Sequence, residues 1–164
     1  EFLEAVLRQV ALHVPSLKLG TPSDYLKEYP VNQVSTPSFS SWGWKGYCET
    51  WLSGSNQWIY RHLHKATTRM TEMANRYQGQ NGLYRRALNQ AARELFLAQS
   101  SDWAFIMHNA TVVPYAEKRT REHLLNFTQI YEDLNRGQVN EPWLQQIESA
   151  NNIFPDIDSQ LFVA

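Results

Sequence analysis

The sequence predicts an all-α fold, and three observations carry that prediction. Apolar residues recur at helical spacing through three long stretches, the first running Ile59, Leu63, Ala66, Met70, Met73 and Tyr77. No convincing period-two alternation occurs, apart from a candidate short strand in the tail "QLFVA". Residues 30–57 form a long segment rich in Ser, Gly, Pro and Trp with no sustained period, and its aromatic content argues against disorder. The expected architecture is a helical bundle with three long antiparallel helices, a short helix at each end and a long Trp/Ser/Gly-rich loop segment.

Each element has its own signal. "EFLEAVLRQVALHV" opens in helical register, without a capping residue, and places Leu3, Val6, Leu7, Val10 and Val14 on one stripe. Residues 1–14 are therefore expected to be the end of a helix continuing from an upstream domain, and 15–164 a C-terminal helical domain. Glu1 and Glu4 precede the apolar run, which is not how a signal peptide begins. "TPSD" at Thr21–Asp24 reads as a helix start: Thr21 can cap, Pro22 suits the first turn, and Asp24 stands three residues on. That helix must stop near Pro30.

The long helices are expected near 56–78, 83–99 and 114–136. The second carries Tyr84, Leu88, Ala91, Leu95 and Ala98 after the break "QGQNG". The third carries Leu124, Phe127, Ile130, Tyr131 and Leu134, with Glu117 and Arg121 as an exposed pair. A shorter helix is expected from Pro142, with Trp143, Leu144 and Ile147 inward.

Composition narrows the function. A chain of 164 residues with 43% hydrophobic residues is one domain with material for a core. A net charge of −1 offers no electrostatic footprint for a phosphate backbone, so nucleic acid is not an expected partner. No apolar run approaches the ~20 residues that cross a bilayer, and a membrane association is not expected. The one cysteine, Cys48, allows no internal disulfide and fits a reducing, cytoplasmic compartment. It reads as an inert core thiol.

No complete catalytic set appears, and no cofactor is expected. His62 and His64, two apart on a helix, point about 200° away from each other and cannot share a metal. Asp156 and Asp158 in "FPDID" resemble an acid/base pair, yet caps or solvated turn residues after Pro155 are the simpler reading. Ser53 and Ser55 flank Gly54 without a nucleophile-elbow pattern.

Two stretches ask for a ligand. "SFSSWGWKGYCETWLSGSNQWIY", Ser38–Tyr60, holds Trp42, Trp44, Trp51 and Trp58 in a small, polar setting almost free of aliphatic residues. In "AQSSDWAFI", a helix with a clean stripe runs into Gln99, Ser100, Ser101 and Asp102 before an apolar run resumes. Simple capping explains such a cluster. Sugars, though, need flat rings for their C–H faces and a few fixed polar groups for their hydroxyls.

These stretches carry a resemblance. "SSWGWKGYCETWLSGSNQWIYRHLHKA", "NQAARELFLAQSSDWAFIM" and "NIFPDID" closely resemble the C-terminal domain of 1,4-alpha-glucan branching enzymes of glycoside hydrolase family 57. "EKRTREHLLNFTQIYEDL" and "FLEAVLRQVA" are similar too, so the resemblance covers nearly the whole chain. It implies a parent in which a distorted (β/α) barrel carries the catalysis and this helical domain closes one side of the cleft. Such an enzyme cuts an α-1,4 bond of a glucan and transfers the segment to an α-1,6 position. The nucleophile and the acid/base would lie in the barrel, and neither has a counterpart here.

By the same resemblance, "SSWG" and "ETWL" place Trp42 and Trp51 in the cleft. Asp102 would supply polar contacts, helped by Gln99, Ser100 and Ser101. Trp42, Trp51 and Asp102 are then expected on one concave face, and Trp58 mostly packed in the core. Trp44 is not carried into the ligand set. The implied partners are an α-glucan and the upstream barrel of the same parent. Glucan hydrolysis, 4-alpha-glucanotransfer, or a purely structural role for the domain are the alternatives.

Overall fold

The computed structural model describes residues 1–164 and contains helices and loops without a strand. Two compact units divide the chain, Glu1–Ser38 and Phe39–Ala164; the boundary expected after residue 14 falls inside the first.

In the first unit, α1 (Phe2–His13) and α2 (Pro22–Glu28) bury no residue. Leu3, Val6 and Leu7 of the α1 stripe are exposed. At the start of α2 the capping box forms as the sequence predicts: Asp24 N donates to Thr21 Oγ1 at 3.2 Å, and Thr21 N to Asp24 Oδ2 at 3.1 Å. The hydrogen bonds from Thr21 hold the Asp24 carboxyl below its ordinary value.

The second unit is the bundle: α3 (Trp58–Arg76), α4 (Leu83–Ala98), α5 (Ser101–Asn109), α6 (Val113–Arg136) and α7 (Glu141–Ala150). The three long helices match the three stripes. α4 and α6 form the most extensive helix pair. Between the helices lie Met70, Met73, Leu88, Leu95, Phe127, Ile130, Leu134 and Leu144, all but inaccessible to solvent. A second cluster, Ile59, Leu63, Ala98, Ala104, Met107 and Ala116, sits where α3, α5 and α6 meet. Against it lean Trp51, Trp58 and Trp103.

A buried polar knot pins the core. The Glu94 carboxylate on α4 meets His123 Nδ1 of α6 at 2.7 Å. It also accepts from Gln90 at 2.8 Å, Asn151 at 2.8 Å and Asn126 at 3.3 Å. A carboxylate with no solvent access needs such a shell, because desolvation without partners costs several kcal/mol. The knot joins α4, α6 and the end of α7.

Several expectations are corrected. "QLFVA" is no strand: Ser159–Phe162 form a 3₁₀ turn, which Asp158 caps by accepting from Gln160 N at 3.0 Å. That cap, with the Arg85–Asp158 ion pair at 3.0 Å, gives Asp158 the structural role that the turn reading assigned it. Cys48 is exposed, not a core thiol, because its loop lies over the surface. Trp58, by contrast, is mostly out of solvent as expected: it packs on the second cluster, and the Arg121 guanidinium covers the ring at 4.6 Å.

Candidate functional site: an aromatic hollow between the tryptophan loop and helix α5

The loop ahead of α3 is irregular but heavily tied. The Ser41 hydroxyl donates to the Tyr47 carbonyl and accepts from Gly43 N at 3.0 Å. Trp44 N donates to Thr50 Oγ1 at 3.3 Å. A 3₁₀ turn at Trp44–Gly46 passes through Lys45 and Gly46 at positive φ, and Lys45 Nζ lies 4.1 Å over the Trp44 ring. Gly43 is required by close approach: a Cβ there would stand 2.8 Å from Thr50 Oγ1, 2.8 Å from the Tyr47 carbonyl and 2.9 Å from the Trp51 ring.

Asn56 is the staple that fastens this loop to α5. Its fully buried amide donates to the carbonyls of Thr50 at 2.9 Å and Ala104 at 3.0 Å, and its oxygen accepts from Ser53 N at 2.8 Å. Tyr60, from the first turn of α3, adds a hydrogen bond from its hydroxyl to the Trp51 carbonyl. Burial pushes the Tyr60 phenol above its ordinary value, and the nearby Cys48 adds to the shift.

The result is a hollow of about 630 Å³. Trp42, Trp44 and Trp51 line it from the loop with Glu49 and Thr50; Phe105, His108 and Asn109 line it from α5. Trp42 is 93% exposed, so its ring stabilises almost nothing within this chain. His108 Nδ1 lies 3.5 Å from Ser53 Oγ, and the Asn109 amide donates to the Phe105 carbonyl at 3.0 Å, leaving its oxygen as an acceptor.

Of the residues singled out by sequence, Trp42 and Trp51 meet in this hollow. Asp102 does not line it. It stands on the same face of α5 as Phe105 and Asn109, at positions i, i+3 and i+7, one turn nearer the helix start. The Ser100 hydroxyl does not cap α5: it donates to Asp102 Oδ2 at 2.8 Å, and both groups lie at the surface end of the helix. Ser101 is exposed. Gln99 donates to Thr67 Oγ1 at 3.2 Å and lines a different hollow, with Phe96 and Phe154.

Trp44, left out of the expected ligand set, lines the hollow as well, and Phe105, His108 and Asn109 were not among the expected ligand residues. The signal was there for Phe105 and Asn109: they continue the stripe that Asp102 opens, so the face of α5 named by one residue contains all three. His62 and His64 sit on α3 without a metal arrangement, and no group of three or more His, Cys, Asp or Glu side chains is placed to hold a metal. In the hollow's lining Glu49 is the one carboxylate, so the arrangement presents rings and polar contacts but no acid/base pair.

The fold is thus a helical bundle whose tryptophan loop and helix α5 enclose an aromatic hollow with a few polar groups at its edge. The chain belongs to the family described as "1,4-alpha-glucan branching enzyme, C-terminal", which residues 62–162 match. It is 28% identical over 149 residues to the 1,4-alpha-glucan branching enzyme TK1436 of Thermococcus kodakarensis, covering 87% of this chain and 22% of that protein. The crystal structure of TK1436, in complex with glucose and additives, superposes with a TM-score of 0.79 at 25% identity, over 99% of this chain and 30% of that one. The branching enzyme of the glycoside hydrolase family 57 type from Pyrococcus horikoshii gives 0.77 at 31% identity, over 99% and 31% of the two chains. The alpha-amylase AmyC from Thermotoga maritima gives 0.71 at 40% identity, over 99% and 30%. The chain thus spans about a fifth of the length of its curated relative and under a third of each solved one.

Proposed function

We propose that this domain forms one wall of the glucan-binding cleft of a 1,4-alpha-glucan branching enzyme, and that the hollow between the tryptophan loop and α5 holds an α-glucan chain. The observation that carries the reading is the exposure of Trp42 in a tied loop, opposite Phe105, His108 and Asn109. A ring with 93% of its surface in water costs the chain solubility and returns no core stability, and a stacked sugar ring accounts for it. Trp42 and Trp51 supply the stacking faces, while Glu49, His108 and Asn109 meet hydroxyls. Asp102, with Ser100 and Ser101 beside it and Gln99 at the turn, extends the polar edge along α5.

Cutting the α-1,4 bond with retention needs a nucleophile and an acid/base about 5 Å apart across the scissile bond. Those groups belong to a barrel elsewhere in the parent, and this chain by itself is catalytically silent. The wall serves transfer: it positions the acceptor chain near the glycosyl-enzyme and keeps water from it, which favours an α-1,6 branch over hydrolysis. No cofactor enters this scheme, and the reducing, cytoplasmic setting is part of the same proposal.

A second reading, in which the parent hydrolyses glucan, rests on the 40% sequence identity with the alpha-amylase AmyC alone. One assay separates the two. Formation of α-1,6 linkages and release of reducing ends are measured for this chain, the remaining parent and the full-length parent. The expected result is branching by the full-length protein alone. Branching by this chain, or full branching by the parent without it, overturns the division of labour, and hydrolysis without branching selects the amylase reading.

A further inference from the structure

A second hollow, of about 810 Å³, lies on the bundle near the end of α4. Phe96, Phe154, Pro155, Ile157 and Leu161 line it, with Gln99 and Asp156 as its polar members. Phe154 and Leu161 are 60% and 76% exposed. The Phe96 ring stands edge-on to Phe154, with centroids 6.0 Å apart, and 5.7 Å from Phe162 on its other side.

The chain takes trouble to hold Phe154 there. Its φ of +47° puts a bulky L-residue in the left-handed region, where sterics disfavour any residue with a Cβ. Arg93 fixes the turn from both sides: Nε donates to the Ile153 carbonyl and Nη2 to the Pro155 carbonyl, each at 2.9 Å. Its Nη1 donates to Gln90 at 3.1 Å, and Gln90 belongs to the buried knot around Glu94. A strained turn anchored to the core, whose outcome is an aromatic ring in water, is a feature whose purpose lies outside the domain.

We infer that this hollow is the docking surface for the catalytic portion of the parent polypeptide, which seats apolar side chains against Phe96, Phe154 and Leu161. The inference rests on the proposed role as a domain of a larger branching enzyme. What covers the surface follows from three observations. This chain matches only about 30% of each solved relative, so in those proteins a much larger body of polypeptide accompanies the equivalent domain. The hollow shares Gln99 with the polar turn that leads to Asp102, so a body that forms the other side of a glucan cleft there reaches it. Its lining is too poor in hydrogen-bonding groups for a sugar's ring of hydroxyls, but it suits apolar protein side chains, which need none.

Hydrogen exchange of the amides of residues 153–161 tests this, in the 164-residue chain and in the full-length parent. At least tenfold slower exchange is expected in the parent, and equal rates overturn the inference. Maltoheptaose added to the chain alone is expected to leave these amides unchanged; protection by the sugar would make the hollow a glucan site instead. Phe154→Gly separates docking from folding. Glycine relieves the strained φ, so the chain alone is expected to melt at the same temperature or higher, while the parent loses the protection. A chain that melts several degrees lower would make Phe154 a core residue of this domain, and a parent that keeps its protection would show that the ring seats nothing; either overturns the inference. A parent that protects these amides yet forms no α-1,6 linkages would sink the proposed activity and leave the docking surface intact.

Discussion

Asn56→Ala tests whether the tryptophan loop owes its place to one buried amide. Three hydrogen bonds disappear, to Thr50 O, Ala104 O and from Ser53 N. The Ala104 carbonyl keeps the intrahelical bond that its position in α5 provides, so that loss is an ordinary bond, about 0.5–1.5 kcal/mol. The Thr50 carbonyl and the Ser53 amide have no other partner, and leaving each unpaired costs about 1–3 kcal/mol. Water reaching half-buried Ser53 softens its share, which leaves roughly 3–5 kcal/mol in all. Set against a domain stability of about 5–15 kcal/mol, the variant folds but stands near its threshold. Urea unfolding followed by far-ultraviolet circular dichroism measures the loss, with the slope expected to hold. Asn56→Asp keeps the volume and the acceptor for Ser53 but turns a carboxylate oxygen on two carbonyls, so it should be at least as damaging as alanine. A loss under about 1 kcal/mol for alanine, or an aspartate variant as stable as wild type, would refute the staple.

The other predictions address the hollow and the core separately. Trp42→Ala should leave the urea midpoint within about 0.5 kcal/mol of wild type, since the ring is exposed, while maltoheptaose binding followed by tryptophan fluorescence weakens about tenfold, ~1.4 kcal/mol. Gly43→Ala forces the new Cβ against Thr50 and Trp51, so it should weaken the same titration more than it lowers the melting temperature of the bundle. Glu94→Ala strips the shared acceptor from His123, Gln90, Asn126 and Asn151 and should cost about 3–5 kcal/mol by urea unfolding, with no separate effect on sugar affinity once folded. Tyr60 gives a pH dependence. Its folded pKa lies above the ordinary 10.0, so the folded state holds this proton more tightly and the stabilisation is complete below pH 10. It is lost as pH rises through the folded value, and Tyr60→Phe should flatten that alkaline decline in urea midpoints.

The stripes legible in the sequence became α3, α4 and α6 because helical period is a local property. Met70 and Met73, or Leu88, Ala91 and Leu95, fall on one face of their helix whatever they pack against. The capping box at Thr21–Asp24 was legible for the same reason, since both partners lie within one turn. The tail misled, because β-favouring Phe162 and Val163 follow Asp158, whose cap winds the chain into a 3₁₀ turn.

The candidate hollow was legible only in half. The density of rings at Trp42, Trp44 and Trp51 could be read directly, but not that they face Phe105, His108 and Asn109 some fifty residues on. That convergence depends on Asn56 reaching Ala104 across 48 positions of sequence. Nor does any spacing announce that Glu94 on α4 meets His123 on α6, or that Arg93 holds a strained Phe154 out into water. By itself the sequence determined which residues form helices and which chemistry the loop could offer, because both follow from neighbours in the chain. Which side chains share a site was decided by the tertiary structure, because packing the bundle sets distances between residues that no local period relates.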